Sequence, residues 1–411
     1  MLLLVASLIG ALVTGRDLFY NLLYLWLALV AVAGLWSYTS LGQARVARQT
    51  RALRAQVGNY LEERLAVRNS SRLPKLWLEV RDQSDMPGHQ ASKVIVALAP
   101  GRDRLWTVRT LCRQRGRYRL GPITVISGDP FGLFQVTRDI KQSNQIVVYP
   151  LTVELPDFPL PLGITPGGEF LRRRTHYVTP NAAGVREYVS GDSFNRIHWR
   201  TTARRNRLMV KEFELDPMAD IWVLLDGDQS MQAGQAVVNI KPDDFRWFIR
   251  PEKVTLLPST EEYAVSIAGT IAQHFIRRDR AVGLIAYGDT REVIQPDRGE
   301  RQFTKLLETL AVFRAHSRVR LNEALTLESD QLPRGSTVAV ITATWDVKWA
   351  TIARGLKRRG VNVVAVILNP ASFGGQRDNA GVAAALWSMG MPAYSVNEGD
   401  DLAAALTASK G

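Results

Sequence analysis

Two carboxylates and a hydroxyl lie close together in the loop Asp226-Gly227-Asp228-Gln229-Ser230, directly after the apolar run Ile221–Leu225. Carboxylate and hydroxyl oxygens are hard ligands that suit Mg²⁺ or Ca²⁺. An unbroken apolar run is typical of a buried parallel strand, and such sheets bind ligands beyond the carboxyl ends of their strands. We therefore predict a partner-binding or degenerate metal site at Asp226, Asp228 and Ser230, with Mg²⁺ as its cofactor if it holds one. A polar strand-to-helix loop without a ligand is the alternative.

The other reactive residue types form no recognisable catalytic set. Cys112 is the single cysteine, which excludes an intramolecular disulfide, a CxxC redox pair and a thiolate-rich zinc site. The five histidines form no HExxH motif or other ligand cluster, and the sequence shows no nucleophile–base pair or phosphate-binding loop. We therefore expect that the protein is not an enzyme. A metal-dependent hydrolase acting at Asp226 and Asp228 is the enzymatic alternative.

A basic stretch precedes this loop. From Glu169 to Glu212, ten basic residues stand against four acidic ones, within a chain whose formal charge is +13. Such charge favours anionic partners, but no nucleic-acid-binding motif accompanies it, so nucleic-acid binding is the less favoured interpretation. In the favoured one, arginines pair with acids around a buried Trp199. The expected ion pairs join Arg186, Arg196, Arg200 and Arg204 to Glu187, Asp192, Glu212 and Glu214.

Strands that alternate with helices must position the loop. The apolar runs Ile221–Leu225, Val338–Ile341 and Val363–Leu368 show no alternation of polar and apolar residues, as expected for parallel strands that are covered on both faces. Segments with helical periodicity, such as Glu261–Arg277, separate the strands. Residues 217–411 are therefore predicted to form a doubly wound α/β domain.

Residues 66–158 follow a period of two instead. Short β-rich runs are divided by turn clusters such as Ser84-Asp85-Met86-Pro87-Gly88. This spacing, without helical segments between the runs, predicts a small antiparallel sandwich of immunoglobulin-like type. The predicted strands are Leu76–Val80, Lys93–Leu98, Leu105–Leu111, Tyr118–Ile126 and Gln145–Tyr149. A proline-rich run then leads into the arginine-rich segment, residues 159–216.

Two nearly uncharged runs open the chain, Met1–Thr14 and Leu18–Leu35. At 1.5 Å per residue the second run is close to the thickness of a hydrocarbon core, and the first is shorter. We predict a transmembrane helical hairpin over residues 1–38. A cleaved signal peptide is the alternative for the first run, although that run lacks the basic residues that precede the apolar part of such peptides.

A row of arginines follows the second run, and such residues mark the cytoplasmic side of a span. They are Arg45, Arg48, Arg51 and Arg54. The apolar residues of Gln43–Leu65 fall four or seven positions apart, so residues 39–65 are predicted to form a basic juxtamembrane helix that rests on anionic lipid or faces solvent. We expect the protein in the cell membrane with the bulk of the chain in the cytoplasm.

A motif in the basic stretch resembles a known family. It consists of Arg186-Glu187-Tyr188, Gly191-Asp192, Arg196, Trp199 and Arg204. In this order, and followed by the strand that ends at Asp226, these residues resemble the bacterial family called domain of unknown function 58. Two earlier segments agree with the family pattern, Arg115-Gly116-Arg117-Tyr118 and Asp129-Pro130-Phe131-Gly132-Leu133-Phe134.

The resemblance implies a carboxyl-terminal domain like von Willebrand factor type A, a structural role for the motif residues, and an association with MoxR-type AAA+ ATPases. The metal-ion-dependent adhesion site of such domains uses the pattern D-x-S-x-S. Asp226 and Ser230 match it, but Asp228 replaces the first serine, and Thr342-Ala343 stands where a Ser-Asp or Thr-Asp pair is expected. We therefore predict a membrane-anchored adaptor that works with a MoxR-type ATPase.

Overall fold

The computed structural model describes residues 2–156, 158, 182–189, 194, 197–213, 220–234 and 256–407. Over these residues the protein combines α and β structure: apolar helices first, then small sheets, then a six-stranded sheet covered by helices. The helices are α1 Leu2–Thr14, α2 Asp17–Ser40, α3 Trp199–Arg205, α4 Thr260–Ile276, α5 Gly299–Val312, α6 Leu321–Glu328, α7 Lys348–Arg358, α8 Ala380–Ser388 and α9 Leu402–Thr407.

The strands belong to five sheets. They are β1 Ala44–Thr50, β2 Arg54–Gln56, β3 Tyr60–Asn69, β4 Lys75–Asp82, β5 Lys93–Leu98, β6 Asp103–Leu111, β7 Gly116–Leu120, β8 Ile123–Gly128, β9 Gln135–Ile140, β10 Asn144–Tyr149, β11 Ala182–Glu187, β12 Met209–Phe213, β13 Ile221–Asp226, β14 Val282–Tyr287, β15 Arg291–Asp297, β16 Thr337–Thr342, β17 Asn362–Leu368 and β18 Ala393–Val396.

The first two helices pack against each other. The ring of Phe19 lies on Gly10, where a Cβ atom would come within 2.6 Å of it. Helix α2 has 24 residues and is long and apolar enough to cross a membrane, whereas α1 has 13 residues. At 1.5 Å per residue, α2 measures about 36 Å, which exceeds a hydrocarbon core of about 30 Å. Helix α2 therefore suggests a membrane anchor.

The predicted juxtamembrane helix over residues 39–65 is wrong, because this segment forms strands. Strand β1 pairs with β3 in antiparallel register from Ala44↔Asn69 to Thr50↔Glu63. Leu61 and Leu65 lie four residues apart, a spacing that fits a helix but also fits one face of a strand, and both point into the core. The arginines alternate accordingly, so that Arg45 is exposed while Arg48 is buried.

The β-rich part contains a sandwich of two antiparallel sheets, ordered β1-β3-β6 and β5-β4-β8-β9. Apolar residues from both sheets form its core: Leu65, Val67, Leu78, Val80, Ile123 and Val125. A third sheet, ordered β2-β10-β7, has its own small core around Cys112. The predicted strand Tyr118–Ile126 is divided into β7 and β8 at Gly121-Pro122, and the mostly exposed β9 was not predicted.

The α/β part is built on the sheet order β15-β14-β13-β16-β17-β18, in which β15 alone is antiparallel. Helices α4, α5 and α9 pack on one face of this sheet, and α6, α7 and α8 pack on the other. Strand β13, which contains the predicted run Ile221–Leu225, is central, and all six of its residues are buried.

Strands β11 and β12 pair in a small unit that also contains α3, and this unit holds the family-motif residues that the structure describes, namely Arg186, Glu187, Tyr188, Trp199 and Arg204. The prediction that Trp199 is buried among paired arginines is wrong, because its side chain is 67% exposed. Helix α3 is oriented by Thr202 instead, whose hydroxyl accepts a hydrogen bond from the Met209 N–H at 3.0 Å. Glu187 pairs with Arg207 at the surface, 3.0 Å away.

The other predicted arginine pairs are placed as follows. Arg200 and Arg204 are exposed on α3. The backbone of Arg186 pairs with Val210. Gly191, Asp192, Arg196 and Glu214 lie outside the described residues.

A buried charged cluster lies inside the sandwich. The Arg48 Nη2 donates to Oδ1 of Asp82 at 2.5 Å, and its Nε lies 3.6 Å from Glu63. The His89 Nε2 lies 3.2 Å from Glu63 and 3.3 Å from Asp82, and the Thr50 hydroxyl donates to Glu63 at 2.8 Å. The two acids and Arg48 leave one negative charge, so the cluster is neutral only when His89 is protonated.

The pKa values in this cluster shift accordingly. Burial opposes the charged form of His89, but hydrogen bonds and charges from Asp82 and Glu63 outweigh burial and raise the pKa of His89. Burial alone would raise the pKa of Asp82, but hydrogen bonds from His89 and Ser84 and the charge of Arg48 lower it to about 2.

A second buried charged cluster joins the β-rich part, at Arg115 between β6 and β7, to the α/β part. The Arg115 side chain is fully buried, and its Nη2 donates to Glu261 at 2.6 Å and to the Phe313 carbonyl at 2.8 Å. Its Nε donates to the Leu310 carbonyl at 3.2 Å, and Nη1 contacts Glu262. Glu261 and Glu262 lie in the first turn of α4. The Arg115-Gly116-Arg117-Tyr118 segment therefore contributes a buried contact between two parts of the chain.

We expect the His89 cluster to make stability depend on pH. Because the folded pKa of His89 is raised above the usual value of about 6.5, its contribution is present below that pH and is lost as the pH rises through the folded pKa. The Asp82 contribution is lost as the pH falls from about 4 to 2. Melting temperatures of the wild type and His89→Gln in detergent should therefore converge as the pH rises through the folded pKa of His89. The exposed His316 gives the control His316→Gln, and a constant difference between wild type and His89→Gln at all pH values would contradict the expectation.

Removal of Arg115 should be far more costly than removal of an exposed arginine at the same junction. Arg115→Met leaves Glu262 buried without the cation it contacts and leaves Glu261 with Arg314 alone, 3.2 Å away, which should lower the free energy of unfolding by about 3–5 kcal/mol. The control is Arg54→Met, because Arg54 pairs with Glu308 at 2.8 Å on the surface and such pairs contribute at most about 1 kcal/mol. Chemical denaturation of the full chain in detergent measures both, and equal losses would refute the assignment.

Candidate functional site

The three predicted site residues form one hydrogen-bonded loop at the carboxyl end of β13. The Oδ1 of Asp226 accepts a hydrogen bond from the Asp228 N–H at 3.1 Å. The Oδ1 of Asp228 accepts from both the N–H and the hydroxyl of Ser230, at 3.0 Å and 2.8 Å. Because β13 is central in the sheet, its neighbours surround the loop. The structure therefore brings Asp226, Asp228 and Ser230 together, as the sequence predicted.

The neighbouring strand β16 completes this network with threonines. The Thr342 hydroxyl donates to Oδ2 of Asp226 at 2.6 Å, and its oxygen accepts from the Thr344 N–H at 3.0 Å. The Thr344 hydroxyl oxygen in turn accepts from the Asp346 N–H at 3.1 Å. Thr344 was missed from the sequence. The signal that could have found it is its position just beyond an apolar strand, at the same edge of the sheet as Asp226.

Asp226 is the buried centre of the network. Burial raises the pKa of its carboxyl to about 6, and the negative charge of Asp228 adds to this effect, while hydrogen bonds from Thr342 and the Asp228 N–H oppose it. Both Asp226 oxygens are engaged by the protein itself. Asp226 therefore orders the loop through both of its carboxylate oxygens.

A small cavity of about 10 Å³ lies beside the loop, which is room for about one water molecule. Its lining residues are Asp228, Met231, Arg320, Leu321, Asn322, Thr344, Asp346 and Trp349. Asp228, Thr344 and Asp346 offer hard oxygen atoms of the kind that Mg²⁺ prefers.

The same cavity does not suit a dedicated divalent site. Arg320 lines it, and a guanidinium opposes a second cation at that position. Within the described part of the chain, no three His, Cys, Asp or Glu side chains come together as a metal site would require. The positive charge of Arg320 in the lining therefore disfavours a resident Mg²⁺ ion in this cavity.

The surface around the cavity is suited to binding. We call Ser230, Arg320, Trp345, Asp346 and Val347 the edge surface. Arg320 and Val347 are exposed, and the guanidinium of Arg377 stacks over the Trp345 ring at 5.1 Å from its centre. Aromatic and arginine side chains are enriched among residues that dominate protein–protein affinity. An aromatic ring, an exposed guanidinium and an exposed apolar side chain therefore lie together at this edge of the sheet.

Close backbone packing fixes the loop from below. A Cβ atom on Gly227 would lie 2.1 Å from the Tyr287 carbonyl oxygen and 2.9 Å from the Phe313 ring. The Gly227 carbonyl accepts from the Ser317 N–H at 2.9 Å, and the Ser317 carbonyl accepts from the Gln229 N–H at 3.0 Å. Only glycine fits at position 227.

Gly227→Ala should therefore displace the loop and destabilise the protein by about 1–3 kcal/mol, the usual cost of overpacking. A matched control is Gly355→Ala in α7, where an added Cβ would meet nothing within 4 Å. That change should be neutral or stabilising, because alanine favours a helix by up to about 1 kcal/mol over glycine. Thermal unfolding of both variants tests this, and a Gly227→Ala protein as stable as Gly355→Ala would contradict the described packing.

Two sequence comparisons bear on the identity of the chain. The family model described as "Protein of unknown function DUF58" matches residues 184–243, which contain the motif from Arg186 to Arg204 and the loop from Asp226 to Ser230. The "Uncharacterized protein YeaD" of Bacillus subtilis (strain 168) is 23% identical over 312 residues, which cover 74% of this chain and 70% of YeaD.

Solved structures are more distant. Proximal thread matrix protein 1 from the mussel byssus, in the form with a zinc-occupied MIDAS motif, is 14% identical with a TM-score of 0.31, over 46% of this chain and 46% of that one. The CARDB domain of PF1109 from Pyrococcus furiosus is 14% identical with a TM-score of 0.19, over 26% of this chain and 93% of the domain. The chain thus spans less than half of the byssus protein, and TM-scores this low do not establish a shared fold.

The family model and YeaD together confirm the resemblance that the sequence motif predicted, and over residues 184–243 the chain matches the family of unknown function DUF58.

Proposed function

We propose that this protein is a membrane-anchored interaction protein whose α/β part docks a protein partner through the edge surface. The observation that carries the proposal is the self-contained network of Asp226, Thr342, Asp228 and Ser230. In this network the polar groups of the loop form hydrogen bonds with one another and with Thr342, so that they hold the loop in one conformation, as expected of a recognition surface. An active site would instead keep a nucleophile or base free to meet a substrate.

The partner that we propose is a MoxR-type AAA+ ATPase. The family resemblance supports this partner, since the resemblance implies both the association and a von Willebrand factor type A-like carboxyl-terminal domain. The parallel strands β13, β16 and β17, with helices on both faces of their sheet, agree with such a domain.

A cytosolic ATPase requires the α/β part to face the cytosol. Arg45, Arg51 and Arg54 follow α2 and are exposed, which supports that orientation by the positive-inside rule. Arg48 does not contribute to the rule in the same way, because it is buried in the His89 cluster.

The edge surface can be tested by Trp345→Ala and Arg320→Glu. If both side chains are central to docking, each variant should weaken binding by about 2 kcal/mol or more, roughly a 30-fold rise in Kd. The control is Leu327→Ala, which removes an exposed apolar side chain from α6 outside the edge surface and should leave Kd unchanged. Binding of a purified MoxR-type ATPase to the full chain in lipid nanodiscs, measured by interferometry, gives the values.

Two results would count against this proposal. If the ATPase does not bind the wild type, the partner is wrong. If it binds and all three variants behave alike, the surface is wrong. Chelation tests whether a metal takes part in binding. We expect EDTA to leave binding of the ATPase unchanged, because the cavity does not suit a divalent ion. Release of the ATPase by EDTA and its recovery with Mg²⁺ would show a working adhesion-type metal site.

A further inference from the structure

We propose that the loop Asp129-Pro130-Phe131-Gly132-Leu133-Phe134, here called the aromatic loop, inserts apolar side chains into the membrane interface beside α2. This inference rests on the membrane anchoring of the proposed function and extends it to a second lipid contact. This segment belongs to the family pattern in the sequence, but the proposed docking of a protein partner does not involve it.

The aromatic loop is held in one shape by Asp129. This carboxylate is buried, and its Oδ1 accepts from the Phe131 N–H at 2.7 Å while its Oδ2 accepts from the Phe134 N–H at 2.5 Å. Gly132 supplies the left-handed backbone conformation that the turn needs, with φ of 74°. The polar groups of the loop are thus turned inward.

The apolar side chains are turned outward as a consequence. Phe131 is 56% exposed, Leu133 47% and Phe134 37%. Three large apolar side chains within four residues form a concentrated apolar tip, and exposed apolar clusters of this kind mark contact sites for proteins or membranes. The exposed tip therefore contacts either a protein or a membrane.

The position of the loop favours the membrane. The Ser37 hydroxyl of α2 donates to the Phe134 carbonyl at 3.4 Å, and a Cβ atom on Gly34 would lie 3.9 Å from the Phe134 ring. Counted from Asp17 at 1.5 Å per residue, Gly34 to Ser37 lies about 26–30 Å along the helix, which is the thickness of a hydrocarbon core. The loop therefore sits where α2 leaves the membrane.

Neighbouring residues match an interface of this kind. Tyr38 is exposed one residue beyond Ser37, and aromatic side chains of this type concentrate at the headgroup level. The Lys75 ammonium donates to the Thr39 carbonyl at 2.7 Å. Burial lowers the pKa of Lys75, and the nearby charge of Arg138, which is exposed on β9, adds to that effect. Lys75 is buried and fixes the end of α2, whereas the exposed Arg138, four residues beyond Phe134, offers a cation that suits anionic lipid headgroups.

A site-specific fluorescent label tests the proposal on the full chain, reconstituted in vesicles of phosphatidylethanolamine and phosphatidylglycerol. A polarity-sensitive fluorophore is attached to Leu133→Cys. The native Cys112 is buried, and burial raises its pKa to about 11, so it does not compete for the label. Leu327→Cys on α6 is the aqueous control, and Leu27→Cys, exposed on α2, is the control for the anchor.

We expect the Leu133 label to be quenched by nitroxide-bearing lipid and to be several-fold less sensitive to aqueous iodide than the Leu327 label. If iodide quenches the Leu133 label as strongly as the Leu327 label while the Leu27 label stays in lipid, loop insertion is overturned and the anchor stands. If iodide also reaches the Leu27 label, the anchor itself fails and the inference falls with it. A Leu133 label that neither quencher reaches is covered by protein, which equally overturns lipid insertion.

Discussion

The contact between the β-rich part and the α/β part of the chain depends on the buried ion pairs and hydrogen bonds of the Arg115 guanidinium. A charge of this kind is tolerated away from water only when it is paired and fully hydrogen-bonded. Arg115 is paired with Glu261 and Glu262, and its Nε and Nη2 donate to the carbonyls of Leu310 and Phe313, all of which belong to the α/β part. The β-rich part thus supplies a buried cation, and the α/β part supplies the two carboxylates that pair with it.

The same contacts lead to the candidate site. Glu261 also accepts from the Ala315 N–H at 2.9 Å, so Arg115 and Ala315 share one carboxylate. Phe313 and Ala315 in turn form the floor against which Gly227 packs. The loop that carries Asp226 and Asp228 is therefore supported by a segment that the Arg115 cluster holds in place, and damage at Arg115 should reach the loop through this floor.

Charged residues elsewhere in the β-rich part serve internal contacts as well. Arg48 and His89 neutralise two buried acids within the sandwich, and Lys75 binds the last turn of α2. The Lys75 contact connects α2 to the sandwich, as Arg115 connects the β-rich part to the α/β part. A partner bound at the edge surface would consequently be held at a defined distance from the end of α2.

Local pattern alone located several elements. The unbroken apolar run at Ile221–Leu225 indicates a strand covered on both faces, and the loop after it indicates an edge site, because both signals arise from neighbouring residues. The apolar composition of α2 is similarly local. The motif from Arg186 to Arg204 carried the family resemblance through residue identity, although it did not reveal that Trp199 is exposed.

Tertiary structure decided what local pattern left open. A spacing of four residues fits both a helix and a strand, and pairing of β1 with β3 selected the strand for residues 44–50 and 63–69. Thr342 reaches Asp226 across 116 positions, and Arg115 reaches Glu261 across 146. Local sequence patterns do not predict contacts between residues so far apart in the chain, because many polar residues are available and folding determines which of them are buried together. The sequence by itself determined the buried strand at Ile221–Leu225, the apolar helix and the polar loop after that strand, whereas the tertiary structure decided the strands of residues 44–69 and which side chains meet, since burial and pairing are properties of the packed chain.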